Sequence, residues 1–260
     1  MSIYVTGDTH QTHDIHKLVW FRKGEGANLT KDDYVIVCGD FGLLWSNPYT
    51  LSYYGEEGYS INSNPSDVYW NKDELKLLNW YNTCPWTTLW VDGNHENYDR
   101  LETYPVIEWH GGRVQKISDS VIHLMRGEVY DIDGYKVFAF GGAMSTDRGP
   151  ATGDQKVSIH KWWWPQEIFS EKEQDNAFKN LESVGNKVDF IITHDCPAAV
   201  NRNNRYRISK VSNYLEQLRQ TVEFSHWFCG HMHEDEDYGK VSLLYQRVLP
   251  IEYNPYWFTE

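Results

Sequence analysis

Ile3-Tyr4-Val5-Thr6-Gly7-Asp8-Thr9-His10 reads as a short buried strand that ends in a polar turn. Strand-favouring residues precede a glycine, and the glycine precedes an acid and a histidine two apart. Related patterns return along the chain. Tyr34–Cys38 runs into Gly39-Asp40, Thr87–Val91 into Asp92-Gly93-Asn94-His95, and Val137–Phe140 into Gly141-Gly142. Phe190–Thr193 runs into His194, and His226–Cys229 into Gly230-His231-Met232-His233. Polar residues gathered just past strand ends are where open α/β sheets build their sites.

Helical patterns separate these strands, over Asp14–Lys23, Asn71–Asn82, Glu171–Val184 and Ser209–Gln220. Ser170 and Glu173 form the signature of a capping box. Between 106 and 137, Arg113–Ile117, Val121–Leu124 and Glu128–Ile132, with the turn Asp133-Gly134, predict hairpins. The chain is therefore mixed α/β rather than strictly alternating. It shows no repeat and no clear linker, so one domain is expected over 1–260, with loop insertions at about 46–66 and 141–164.

The 260 residues carry 24 Lys+Arg against 37 Asp+Glu, a net charge of −13. That balance argues against general nucleic-acid binding or attraction to an anionic membrane. With 40% apolar and 23% charged residues the composition is that of a globular protein. No apolar run approaches the 18 residues of a membrane span, so no membrane partner is expected. Ile3–Val5 already reads as a strand, so no signal peptide is expected. Cys38, Cys84, Cys196 and Cys229 form no C-x-x-C pair, and Cys38, Cys196 and Cys229 sit in or beside apolar runs as buried thiols. A cytoplasmic, reducing setting is expected.

The chemistry lies at five strand ends, which carry Asp8 with His10, Asp40, Asn94 with His95, His194, and His231 with His233. A single such residue would be an ordinary turn former or hydrogen-bonded histidine. Five together ask for another explanation. In extended backbone, residues two apart point the same way, so Asp8/His10 and His231/His233 could each aim two donors at one locus. Carboxylate oxygen with imidazole nitrogen suits Mn, Fe, Zn or Ni. Seven donors (Asp8, His10, Asp40, Asn94, His194, His231 and His233) exceed the needs of one tetrahedral ion and suit a pair about 3.5–4 Å apart.

In order, D-x-H, G-D, G-N-H-E, an isolated His after a strand, and G-H-x-H stand at Asp8–His10, Gly39-Asp40, Gly93–Glu96, His194 and Gly230–His233. This set resembles the calcineurin-like metallophosphoesterase superfamily. The resemblance implies a four-layer α/β/β/α sandwich of two mixed sheets flanked by helices, with two divalent or trivalent transition-metal ions at the strand ends. By position, one ion would take Asp8, His10 and His233, the other Asn94, His194 and His231, and Asp40 would bridge them. His95 would face the substrate and protonate its leaving group. The implied activity is metal-dependent hydrolysis of a phosphate monoester or small phosphodiester, by in-line attack of a metal-bridging hydroxide. Asn94 and His95 would steady the phosphoryl charge.

Two departures from the superfamily's protein phosphatases stand out. Their G-D-x-x-D-R-G block reads Gly39-Asp40-Phe41-Gly42-Leu43-Leu44-Trp45 here. Leu43 replaces the carboxylate that orients the catalytic histidine, leaving Asp92, Glu96 or Asp99 as candidate partners for His95. Leu44 replaces the arginine. For substrate contacts, Arg148 and His160 are candidates, and Trp162–Trp164 could stack on a base or simply pack. The 46–66 loop could form a lid. Arg202, Arg205, Arg207 and Lys210 could meet an anionic substrate or lie on a solvated helix face. The run Glu234–Asp237 reads as a solvated acidic turn, and His13, His16, His110, His123 and His226 receive no role.

The expected substrate is a phosphorylated small molecule, a nucleotide or a phosphopeptide. The competing classes are a nuclease acting on DNA or RNA, and a non-catalytic binding or scaffold protein that keeps the fold. The complete donor set with His95 favours an enzyme. Two divalent ions (+4) against Asp8 and Asp40 (−2) would leave a local charge of +2 inside an acidic protein.

Overall fold

Strands that are apolar at every position need cover on both faces. Tyr34-Val35-Ile36-Val37, Thr87–Trp90, Phe190–Thr193 and His226–Cys229 are buried at all four positions. A computed structural model describes residues 1–46, 70–147, 163–203 and 207–258 and shows how that cover is supplied. The first sheet holds seven strands: β1 (Ile3–Thr6), β2 (Tyr34–Val37), β3 (Thr87–Trp90), β4 (Val106–Trp109), β5 (Gly112–Ser118), β6 (Val121–Leu124) and β13 (Val248–Pro250), in the order β13-β1-β2-β3-β6-β5-β4. The second holds six: β7 (Glu128–Ile132), β8 (Tyr135–Phe140), β9 (Phe190–Thr193), β10 (His226–Cys229), β11 (Glu236–Tyr238) and β12 (Val241–Leu243), in the order β11-β12-β10-β9-β8-β7. Both are mixed. β1, β2, β3 and β6 run parallel, as do β8, β9, β10 and β12, with antiparallel strands outside them.

Alternation along each strand sorts the apolar residues into layers. Val5, Ile36 and Leu89 of the first sheet meet Val137, Ile192 and Phe228 of the second. Val35, Val37 and Trp90 point the other way, onto α1 (His16–Lys23) and α2 (Lys72–Asn82) through Leu18, Phe21, Leu77 and Tyr81. On the far side, Phe138, Ile191 and Trp227 pack on α4 (Glu171–Ser183) and α6 (Lys210–Thr221) through Ala177, Leu181, Leu215 and Leu218. The result is the expected α/β/β/α sandwich. Leu43 and Leu44 belong to the outer core of the first sheet.

The capping box at Ser170 and Glu173 is present, and Asn71 with Glu74 forms another on α2. The short helices α3 (Tyr98–Leu101) and α5 (Ala198–Asn203) follow two of the strand-end motifs. Of the expected runs, β5 pairs antiparallel with β6, and β7 with β8 through Asp133 and Gly134 at φ 56° and 84°; β4, which pairs with β5, is not among them.

Two expectations need correction, and a third cannot be compared. α1 begins at His16 rather than Asp14, because the Asp14 side chain is engaged with His10 and Tyr245. Glu234–Asp237 is no free acidic turn. Asp235 accepts the backbone N–H groups of Tyr245, Gln246 and Arg247 at 2.8, 2.9 and 3.1 Å, and Glu236 starts the edge strand β11. Asp237 pairs with Arg247 at 2.9 Å. The loop at 46–66 lies outside the described residues except for Ser46, and of the 141–164 loop only 141–147 and 163–164 are described. Among the described residues, no helix is long and apolar enough to cross a membrane.

Candidate metal centre

The carboxyl ends of β1, β2, β3, β9 and β10 meet at one rim, where the two sheets approach across the core. Two glycines make the approach possible. Gly39 has φ 90°, and a Cβ there would sit 2.3 Å from Nδ1 of His194. A Cβ on Gly230 would sit 2.3 Å from Oδ1 of Asp8. In each case the motif glycine lets a donor from the opposite sheet lie directly against the backbone.

The donors converge in overlapping groups. Ligand atoms of Asp8, His10 and His233 lie within 4.8 Å of one another, as do those of Asp40, His194 and His231. Asn94 joins the second group, its Oδ1 lying 3.1 Å from Nε2 of His194. Asp40 touches both sides, with Oδ2 3.2 Å from Nε2 of His10 and Oδ1 3.2 Å from Nε2 of His194. His95 lies close as well, because its ring nitrogen falls within 4.8 Å of ligand atoms of His10 and Asp40.

The convergence has a different local cause from the expected one. His10, Asp40, His231 and His233 all have left-handed backbone, at φ 40°, 45°, 69° and 53°. The segments are tight turns, not extended strands. His231 and His233 consequently point into different groups instead of sharing one.

Neighbours fix the tautomers. His194 Nδ1 donates to the Cys38 carbonyl at 2.7 Å, which turns Nε2 toward Asn94 and Asp40, as a proton donor when protonated and as a ligand atom when neutral. Nδ1 of His10 pairs with Oδ2 of Asp14 at 2.8 Å, and Asp14 also accepts the Tyr245 hydroxyl at 2.7 Å. The Tyr245 ring stacks on His233 with centroids 4.7 Å apart. Lys17 donates to the backbone carbonyls of Asp8 and Tyr245. Asp14, Lys17 and Tyr245 were not picked out by motif. Asp14 sits four residues after His10, which is the one signal that could have suggested it.

Electrostatics show what the cluster needs. Burial opposes ionisation of Asp40, but the charge of His194 and hydrogen bonds from His10 and His194 outweigh it and hold the carboxyl well below its usual range. Burial disfavours protonated His194 too, yet Asp40 and Asp8 raise it to about 10, and the same balance with Asp40 raises His10 to about 8. Two buried carboxylates are thus drawing in positive charge. Protons can supply it. So can cations held by neutral imidazoles, and the mixed oxygen and nitrogen donor set fits divalent transition ions.

Asp40, Asn94, His95, His231 and His233 line a cleft of about 280 Å³ whose other walls include Met144, Ser145, Asp147, Arg207, Ser209 and Met232. Of the basic run, Arg207 reaches this cleft, and it stands between helices rather than on one. Among the described residues it makes no hydrogen bond or ion pair. Arg205, Arg148 and His160 lie outside the described residues. Trp164 is 1% exposed and donates its indole N–H to Asp99 at 2.9 Å, so it packs rather than offering a stacking face. Trp162 lies outside the described residues, and Trp45 stands nearer the site, its ring 6.3 Å from that of His95.

Two of the carboxylates suggested as partners of His95 are committed elsewhere. Asp92 is buried against Arg126, Tyr98 and His123. Glu96 accepts the backbone N–H groups of Phe41 and Gly42 at 2.7 and 3.2 Å. The third, Asp99, takes the Trp164 indole.

The sequence profile of calcineurin-like phosphoesterases matches residues 1–235, and the chain belongs to that family. It is 23% identical over 244 residues to the lariat debranching enzyme of Schizosaccharomyces pombe, a match covering 83% of this chain and 48% of that protein. The chain thus spans about half the length of the curated relative. Among solved structures it matches a protein of unknown function, AQ665, from Aquifex aeolicus, with 12% identity, 86% and 87% of the two chains covered and a TM-score of 0.30. That likeness is too slight to bear on function.

Proposed function

We propose that this protein is a two-metal phosphoesterase that hydrolyses a small phosphodiester or a phosphate monoester. The observation that carries the proposal is the convergence of Asp8, His10 and His233 beside Asp40, His194 and His231, with Asp40 in contact with histidines of both groups. Asp8, His10 and His233 would hold one ion, and Asn94, His194 and His231 the other, with Asp40 between them. When bound, such ions supply a water acidified toward neutrality and positive charge against the phosphate oxygens.

The chain's own groups do the rest. Asn94 and His95 face the phosphoryl group from the β3 end and meet charge as it builds on the equatorial oxygens. His95 gives a proton to the leaving oxygen as its bond to phosphorus breaks. Arg207 offers a guanidinium to a further anionic group of the substrate. The hydroxyls of Ser145 and Ser209 donate to Glu167 and Asp195, at 2.7 and 3.0 Å.

A second proposal, hydrolysis of an RNA phosphodiester, is favoured by the similarity to a lariat debranching enzyme. Against a long polyanion stands the net charge of −13. The free thiols of the four buried cysteines suit a reducing compartment such as the cytoplasm.

The test is a panel of para-nitrophenyl phosphate, its bis ester, nucleotides and short RNAs, run with Mn, Fe, Zn, Ni and Mg beside a metal count. Turnover with about two ions per chain is expected. Metal-loaded protein inert on the whole panel would overturn the proposal in favour of a scaffold. Hydrolysis of a chiral phosphorothioate should proceed with inversion, and retention would exclude direct transfer to water.

A further inference from the structure

We infer that Asp147 is the positioning carboxylate of His95, standing in for the acid that Leu43 displaces. The inference rests on the phosphoesterase proposal and adds a residue to it. Oδ2 of Asp147 lies 3.8 Å from Nε2 of His95, with both side chains about 40% exposed on the wall of the cleft. Asp92 and Glu96 are buried in other networks, which leaves the carboxylate on the loop after β8 to serve the ring. That loop is anchored from below. The buried Glu167 accepts the hydroxyl of Ser145 at 2.7 Å and its backbone N–H at 3.3 Å. The Ser145 hydroxyl in turn accepts the N–H of Asp147 at 3.3 Å. Gly142, at the start of the loop, donates its N–H to the Asp92 carbonyl at 2.8 Å, tying the loop to the β3 end that carries His95.

The separation suits the task. A distance of 3.8 Å exceeds a hydrogen bond, so Asp147 faces the ring without occupying the Nε2 position that meets the leaving oxygen. The proton stays available for the leaving oxygen, and it moves there as the P–O bond breaks. Leu43 meanwhile packs in the core, where an acid would be buried without a partner.

The test compares wild type, Asp147→Asn, Asp147→Glu and Ser145→Ala on phosphodiesters of para-nitrophenol and of a simple alcohol. A nitrophenolate leaves without help, whereas an alkoxide needs the proton. Asp147→Asn should lose about ten-fold in kcat on the alkyl ester and under two-fold on the nitrophenyl ester, with KM and metal content unchanged. Asp147→Glu should recover part of the loss. In a His95→Ala background the Asp147→Asn loss should vanish. Independently of turnover, the His95 ring ¹⁵N signals of the zinc-loaded protein should move in Asp147→Asn. Equal losses on both esters, or an additive double mutant, would overturn the inference while leaving the phosphoesterase proposal standing. A wild type inert on both esters and on the wider substrate panel sinks that proposal instead, and the ring signals then report the pairing alone.

Discussion

The backbone N–H of His95 donates to Oδ1 of Asp40 at 2.7 Å. One bond ties the carboxylate that touches both donor groups to the residue proposed to meet the leaving oxygen. The candidate metal site and the proposed proton donor are therefore one mechanical unit, although 55 residues separate Asp40 from His95 in the chain.

Asp40→Asn tests that unit. The amide keeps the acceptor for the His95 N–H but removes the charge between the two groups. Metal content should fall by at least half and activity by two orders of magnitude or more, on the order of the loss for a residue in the reacting unit. A variant that keeps both ions would exclude Asp40 from the bridging position.

Gly39→Ala probes close approach. The added methyl meets the His194 ring, and alanine is strained at φ 90°. The variant should remain helical and sheet-rich by circular dichroism yet bind metal weakly. Unchanged metal affinity would mean that the His194 ring can move aside without cost.

Arg207→Ala should act on binding. Loss of one charge-assisted contact of about 1.5–3 kcal/mol raises KM ten-fold or more. The effect should appear on substrates bearing a second phosphate and be absent on bis-para-nitrophenyl phosphate. A uniform fall in kcat across both would place Arg207 outside substrate recognition.

Arg126→Met addresses stability. The Arg126–Asp92 pair is at most 5% exposed, and Asp92 also accepts the Tyr98 hydroxyl at 2.9 Å. Leaving Asp92 buried without its cation should cost about 3–5 kcal/mol in urea denaturation. Turnover per folded molecule should be retained, since neither residue touches His95. A loss below 1 kcal/mol would show that Tyr98 and His123 suffice.

His226 should make folding sensitive to mild acid. Burial pushes it down from its ordinary 6.5 to about 4, and its Nε2 lies 2.8 Å from the Ser242 hydroxyl. The unfolded chain then binds a proton more readily than the folded one. Stability is full above about pH 6.5 and declines as pH falls toward 4, by up to about 3 kcal/mol at about 1.4 kcal/mol per unit. Denaturation of His226→Phe between pH 4 and 6.5 should show a flatter profile than wild type. Parallel profiles would remove His226 as the cause.

Much of this protein was legible in the sequence, because burial on both faces writes continuous apolar runs and each run ends where the chain must turn. Tyr34–Val37 and His226–Cys229 are such runs, and Asp40 and His231 stand just past them. The sequence by itself thus determined the central strands, the long helices and the strand-end motifs that propose seven donors, while the sandwich followed from the resemblance those motifs carry. Tertiary structure decided who meets whom. His231 and His233 part company because left-handed turns replace the extended backbone that alternation assumes. Asp147 stands beside His95 because a loop anchored on Glu167 carries it there, across 52 residues of chain. Tyr245 reaches Asp14 across 231. Periodicity and propensity act over a few residues, whereas a site is assembled from residues whose only common property is their place in the packed fold.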